Sequence, residues 1–387
     1  MKVINFLIVM ISIYLLSSCS MHSTLSKPSN NTANSQPLST GSLSDAYSTY
    51  FDIGTALNRN QTTGYDSQSI AIVDKHFNTL TSENDMKWES IQPTEGQFTF
   101  EGADALVQYA NKTNKSVIGH ALVWHEQTPD WVFEDELGNE ASRELLIARM
   151  KSQIFALAGR YKNDIKGWDV VNEALNEDGT MRESKWQQII GDDFIELAFT
   201  FAAQAAPNAQ LYYNDYNLFK AAKMDGAIAL AKRLKAKGIR IDGIGEQGHY
   251  GITPPLKELA LSIQKVAQQD LKMMITELDI SVLKFPEGEN MGADISLKFD
   301  LQDDYNPYAM GISASSSQKL AQAYSDLFAL FLRYEKAIDR VTFWGVSDNS
   351  TWRNNWPMKG RTDYPLPFDR DYQAKPFVKT LIEQAQR

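Results

Sequence analysis

The chain has 387 residues, 43% of them hydrophobic and 22% charged, an ordinary globular composition long enough for one large domain or two small ones. Its formal charge of −10, with no basic cluster along the chain, excludes the clustered Lys and Arg that nucleic-acid binding needs. Five histidines with no His-x-His or His-Glu-x-x-His pairing argue against a metallohydrolase, and no metal or cofactor is expected.

In chain order, the first element reads as an export signal. Lys2 is a minimal positive start, and Phe6 to Leu16 is an apolar run too short for a comfortable membrane span. It ends in Leu16-Ser17-Ser18-Cys19, which resembles a bacterial lipobox. Residues 1–18 are therefore expected to be a lipoprotein signal peptide, with Cys19 as the lipid attachment point. An ordinary cleaved signal with an incidental cysteine is the alternative. Cys19 is the only cysteine, so no intrachain disulfide can form and the exported domain must be stable on its core alone. Export with anchoring at a membrane is the expectation, the face being open.

From Ser20 to Ser44, 16 of 25 residues are Ser, Thr, Asn or Pro, too polar a stretch to order itself by burial. Residues 19–44 are read as a tether, which as a random coil would span roughly 25–30 Å.

From Asp45 to residue 387 the pattern changes. Short apolar runs occur at 51–57, 77–85, 116–124, 165–174, 209–217, 241–250, 272–280 and 341–348. Between them lie helical stretches at 66–76, 102–114, 141–160, 193–206, 221–237, 255–269 and 317–334, and a last one at 374–386 closes the chain. Strict alternation implies a parallel sheet with right-handed crossovers. Eight such units fit an α/β closed (β/α)8 TIM barrel as a single catalytic domain. A doubly wound open sheet is disfavoured, because no Gly-rich phosphate loop follows the first run.

In such barrels the chemistry sits at the C-terminal strand ends. Polar and aromatic residues concentrate there. They include Glu83, Asn84 and Lys87, then His120, Trp124 and Gln127, then Asn172 and Glu173. Further along come Tyr213 and Asn214, Gln247 and His249, Glu277 and Asp279, and finally Trp344 with Trp352 beyond it. Glu173 and Glu277 are 104 residues apart, three βα units, and so face each other across the mouth. Paired carboxylates flanking a cleft are what glycoside hydrolysis needs.

Neighbours assign the roles. Side chains alternate along a strand, so Glu277 and Asp279 share a face, as do Gln247 and His249. His249 is expected between the two carboxylates, oriented by Asp279 and holding Glu277 ionised as the nucleophile. Glu173 has no cationic partner in its motif. The charge of Glu277 is expected to raise its pKa, making it the general acid. Trp124, Trp344 and Trp352 are candidates to stack on pyranose rings, while Trp131, Trp168 and Trp186 are assigned to packing. Glu83, Asn84, Lys87, His120 and Gln127 suit sugar hydroxyls, and Asn172 suits the 2-hydroxyl.

The stretches TSENDMKWE (81–89), GHALVWHEQTPDW (119–131), WDVVNEA (168–174), LYYNDYN (211–217), GIGEQGHY (243–250), ITELDI (275–280) and FWGVSD (343–348) together resemble glycoside hydrolase family 10. These are the retaining endo-β-1,4-xylanases. The resemblance implies a TIM barrel acting on xylan, with Glu173 as acid/base and Glu277 as nucleophile. It places Glu83, Asn84, Lys87, His120, Trp124, Gln127 and Trp344 in the glycone subsites, with Trp352 over the same region. Tyr213 and Asn214 fall towards the aglycone side. A monomer needing no cofactor is expected. Two residues depart from the family pattern: Glu126, where Asn or Ser is common, and Glu246, where an apolar residue is usual. The connection 281–316 is long, and its Asp294, Asp300, Asp303 and Asp304 read as a solvated acidic loop rather than a calcium site. A glucanase with the same machinery, or a catalytically dead glycan-binding lipoprotein, are the competing readings. Both glutamates are intact, which counts against the latter.

Overall fold

The computed structural model describes residues 41–285 and 294–387. The expected signal peptide, Cys19 and the tether up to residue 40 lie outside the described residues. The first described helix lies across the expected boundary at 45. Helix Leu43–Tyr47 is capped by Ser42, and Leu43 and Tyr47 are both fully buried. Five residues are too few to show a helical period in the sequence.

Among the described residues nine strands form: β1 (Asp52–Leu57), β2 (Thr79–Ser82), β3 (Ser116–Val123), β4 (Ile165–Asn172), β5 (Gln210–Asp215), β6 (Gly243–Glu246), β7 (His249–Gly251), β8 (Lys272–Ser281) and β9 (Ile338–Phe343). All their pairings are parallel. β1 to β6 follow in sequence order, β6 pairs with β8, β8 with β9, and β9 returns to β1. This is the expected closed barrel of eight strands, with helices as the crossovers.

The sixth run is corrected by the structure. It was expected as one strand over 241–250, but it breaks into β6 in the barrel wall and the short β7, which pairs only with β8. Gly248 makes the break, at φ +83, a conformation that favours glycine. A Cβ there would stand 2.9 Å from Ile275. The register that results puts His249 directly opposite Asp279.

The principal helices stand within a few residues of their expected bounds. They are Ser67–His76, Glu101–Thr113, Arg143–Arg160, Phe194–Ala205, Ala221–Ala236, Leu256–Ala267, Ala314–Arg333 and Pro376–Ala385. Their starts carry the chemistry that starts helices. Asp66, Ser142 and Ser313 each accept a hydrogen bond from the backbone N–H three residues on, and Pro376 opens the last helix. The additional helices Arg59–Thr62, Trp88–Ile91 and Lys185–Ile190 are too short to show a periodic pattern.

Trp168 and Trp186 are buried in the packing, and Trp131 packs partly buried against it, as assigned. Gly119 is required by Trp168: a Cβ at 119 would stand 2.1 Å from the indole. The last helix packs against helices Leu43–Tyr47 and Ala314–Arg333, and the Tyr47 hydroxyl donates to the Leu381 carbonyl at 2.8 Å.

Candidate active site

β4 delivers Asn172 and Glu173 to the mouth. The backbone leaves the strand at Glu173, which takes φ +57 and donates its N–H to the Asn214 carbonyl at 2.9 Å. A left-handed non-glycine residue costs about 1–3 kcal/mol and persists only where its surroundings hold it. Here the twist turns the side chain into the cleft. The carboxylate is buried, with Oε2 accepting from Trp124 Nε1 at 2.8 Å. Oε1 accepts from Gln247 Nε2 at 2.8 Å and from Asn172 Nδ2 at 3.2 Å.

The Glu173 carboxyl is pushed up to about 7. Burial is the main cause and the charge of Asp215 the second, while the bonds from Gln247 and Trp124 pull the other way. The direction matches expectation, but the cause does not. Glu277 contributes least of these.

Glu277 stands on β8, buried. Its Oε1 accepts from Asn214 Nδ2 at 2.9 Å, and His249 Nε2 lies 3.4 Å from its Oε2. Burial alone would raise this carboxyl. The bond from His249, the nearby His120 and the charges of His249 and Lys87 outweigh it, so the pKa is lowered. His249 Nδ1 lies 2.9 Å from Asp279 Oδ1. Burial opposes charging the imidazole, but the carboxylate of Asp279 prevails and raises it to about 9. His249 thus sits between the two carboxylates of β8 as a cation.

Asp279 is itself fixed by two donors that sequence reasoning did not pair with it. Arg353 Nε donates to its Oδ1 at 2.7 Å and Trp352 Nε1 to its Oδ2 at 2.7 Å. Asp279 is fully buried and held below its ordinary pKa, the charge of Arg353 being the largest effect against burial. Arg353 was missed because nothing in its local stretch points at β8. The adjacent Trp352 was the available signal.

Above the pair lies a cavity of about 110 Å³ lined by Glu83, Asn84, Lys87, His120, Trp124, Gln127, Asn172, Gln247, His249, Trp344 and Trp352. Ile295 completes the wall. Lys87 Nζ donates to Asn84 Oδ1 at 3.0 Å and to Gln127 Oε1 at 2.6 Å, and lies 4.9 Å over the Trp124 ring. Its burial lowers its pKa, and burial raises that of Glu83. His120 Nδ1 is 3.0 Å from Asp169 Oδ2, and its ring meets Trp344 edge-on at 5.2 Å. The structure therefore gathers the expected sugar-contacting residues, with two exceptions.

Tyr213 and Asn214 were expected to contact the sugar, but both are fully buried and neither lines the cavity. Tyr213 lies beneath Glu173. Its hydroxyl donates to Asp215 Oδ2 and accepts the Ala174 N–H. Asn214 links Asn172 Oδ1 to Glu277 Oε1 and accepts from Thr276 through its own carbonyl oxygen. A strand buried on both faces hides which polar residues reach the surface. Trp124 and Trp352, expected only as platforms, also donate to carboxylates through their indole nitrogens. Asp215 was missed altogether. It pairs with the fully buried Lys223 at 2.9 Å, and Lys223 also reaches Glu177 at 3.1 Å.

Glu246, one of the two departures, is buried with Oε2 accepting the Leu218 N–H at 2.6 Å. Burial pushes its carboxyl up to about 7. Glu126 is half-buried beside His125, outside the cavity lining. Among the described residues, no three acidic, His or Cys side chains converge as metal ligands, so the aspartates of 294–304 form no such group.

A parallel barrel carrying on facing strands one carboxyl raised to about 7 and one held below its ordinary pKa, beneath a cavity lined by polar side chains and indoles, defines a glycoside hydrolase. The chain belongs to glycosyl hydrolase family 10, whose family model matches residues 42–384. It is 43% identical over 342 residues to endo-1,4-beta-xylanase A of Xylanibacter ruminicola, covering 88% of this chain and 92% of that protein. It is 40% identical over 340 residues to an endo-1,4-beta-xylanase of Geobacillus stearothermophilus, covering 87% and 96% of the two. Among solved structures, a GH10 endoxylanase retrieved from a sugarcane soil metagenome aligns with a TM-score of 0.86 at 40% identity, covering 88% of this chain and 99% of that one. A xylanase of Paenibacillus barcinonensis complexed with a conduramine derivative aligns with a TM-score of 0.78 at 38% identity, covering 88% and 97%.

Proposed function

We propose that this enzyme hydrolyses internal β-1,4-xylosidic bonds of xylan with retention of configuration. The observation that carries the reading is the opposed protonation of two carboxylates on facing strands, Glu173 raised to about 7 and Glu277 lowered. Glu277 attacks the anomeric carbon while Glu173 gives its proton to the departing oxygen. The Glu277 ester carries no charge, so one of the influences raising Glu173 is removed. Glu173 then takes a proton from water, which attacks the same carbon and releases Glu277. His249 keeps Glu277 ionised between turnovers. Asn172, held by Asn214, is placed to bind the 2-hydroxyl of the sugar under attack.

The test is release of reducing ends from xylan and from a soluble β-glucan, with Glu277→Ala as the blank. Activity on xylan that the blank lacks supports the reading. Activity confined to the β-glucan would make the protein a glucanase, and none on either, with the domain folded, would return weight to a binding role.

We also propose an exported, monomeric lipoprotein anchored through Cys19, on the strength of the lipobox-like Leu16–Cys19 stretch. Membrane association that survives Cys19→Ala would reject the anchor, and sedimentation of the soluble domain as a dimer would reject the monomer.

A further inference from the structure

Residues 294–299 form a turn in the connection after β8. Asp294 caps it, its Oδ1 accepting from Ser296 N at 2.9 Å and Ser296 Oγ at 2.6 Å. Lys298 Nζ closes it by donating to the Ile295 carbonyl at 2.8 Å. Its base is anchored. Phe299 N donates to the Pro357 carbonyl at 2.9 Å, and the Phe299 ring meets Phe285 edge-on at 6.5 Å. Phe285 stands 5.5 Å from Trp356, which lies 4.5 Å from Trp352, the donor to Asp279. The turn therefore rests on a chain of edge-on and tilted aromatic contacts that leads to the support of the nucleophile.

The other end of the turn reaches the catalytic cavity, whose wall includes half-buried Ile295. Asp294 lies near enough to His125 and Glu126 for its charge to act on both: it partly offsets the burial that lowers His125 and adds to the burial that raises Glu126. Those residues follow β3. In the ring order β3 and β8 are four strands apart out of eight, so they stand on opposite sides of the mouth. A turn rooted beside β8 and reaching the β3 loop spans that mouth. Every other lining residue is polar, charged or an indole. An aliphatic side chain makes no directional bond to a hydroxyl, so Ile295 acts through its volume. The cavity it helps to close is about 110 Å³, whereas the adjoining one, walled by Phe219, Tyr250, Lys284 and Phe285, is about 700 Å³.

We propose that Ile295 determines chain length, the 294–299 turn bridging the cleft above the catalytic pair. Short xylo-oligosaccharides enter freely, while a long xylan chain must pass beneath the bridge. This rests on the xylanase reading and adds a selectivity to the same site.

The test compares kcat/KM on nitrophenyl xylobioside and on a soluble linear long-chain xylan. It uses the full chain, Ile295→Gly, and a variant with residues 294–298 all glycine that keeps the Phe299 anchor. The polymer-to-xylobioside ratio of kcat/KM is expected to rise about threefold or more in both variants. An unchanged ratio in variants whose Tm shows them folded overturns the inference. So does a parallel change on both substrates, which would mean that Ile295 only touches the bound sugar. A parent enzyme inactive on both substrates would remove the xylanase reading and this inference with it, an outcome distinct from an active parent with an unmoved ratio.

Discussion

The indole nitrogen of Trp124 donates to Oε2 of Glu173 at 2.8 Å, so a residue of the cavity wall also sets the charge of the acid. The bond favours the ionised form and Asp215 opposes it. The two can therefore be moved in opposite directions. Glu173 must be protonated to act as the acid, so activity falls as pH rises through about 7. Trp124→Phe removes the donor and should carry this alkaline limb upward. Asp215→Asn removes the repelling charge and should carry it downward. Each shift should be about half to one pH unit in the kcat/KM profile on an aryl xylobioside. Limbs that move together would refute the assignment.

Glu173 serves two steps, and they can be separated. With a leaving group that departs without a proton, such as dinitrophenolate, Glu173→Ala should still form the glycosyl–enzyme. Hydrolysis of that intermediate should then be slowed by about 10²–10⁴-fold, the usual worth of general base catalysis. Stopped-flow mixing should show a burst of one phenolate per enzyme. A linear trace at full speed would remove Glu173 from deglycosylation.

Arg353 acts on Glu277 through two intermediates. Arg353→Met withdraws the charge that holds Asp279 ionised, so His249 is less readily cationic and the Glu277 pKa rises. Activity needs Glu277 ionised. The acid limb of kcat should therefore shift to higher pH, with KM changed little and Arg353→Lys restoring part of the difference. A merely structural role would lower the rate without moving the limb.

Glu246 offers a stability test. Its folded pKa is raised from 4.5 to about 7, so the folded state holds its proton more tightly than the unfolded chain. Its contribution is greatest below the unfolded value and is lost as pH rises through about 7, by up to about 3 kcal/mol. Glu246→Gln keeps an acceptor for Leu218 without a charge. Its Tm should match the parent below pH 5 and exceed it at pH 8. Equal Tm values at both would show that the carboxylate is solvated or paired when ionised.

What the sequence disclosed follows from periodicity. Glu277 and Asp279 alternate along one strand, so their shared face was legible before any coordinates, whereas His249 comes to lie opposite Asp279 through the break at Gly248, which the sequence pattern reads as continuous strand. Strand order likewise placed Glu173 and Glu277 face to face. Contacts made by charge at a distance were not legible. Lys223 sits in an ordinary helical stretch, yet its ammonium is fully buried against Asp215. The φ of +57 at Glu173 has no residue signature, because glutamate rarely adopts it. The burial of Tyr213 could not be read either. Within LYYND, polar and aromatic residues reach the mouth or stop beneath it according to the twist of the sheet, which one strand does not reveal.

The dependence of Glu277 on Arg353 and Trp352 has a consequence for biosynthesis. Translation runs from the N-terminus, and the donors that fix Asp279 come after the last strand, which must itself return to β1 before the ring closes. A nascent chain halted before residue 353 carries both glutamates and the cavity-lining residues that follow the first three strands. It lacks the guanidinium that anchors the charge relay, and halted before β9 it lacks the closing strand as well. Nucleophilic competence is thus acquired only after Arg353 has been made, so ribosome-stalled chains of graded length should switch from inert to active only once that residue has cleared the ribosome.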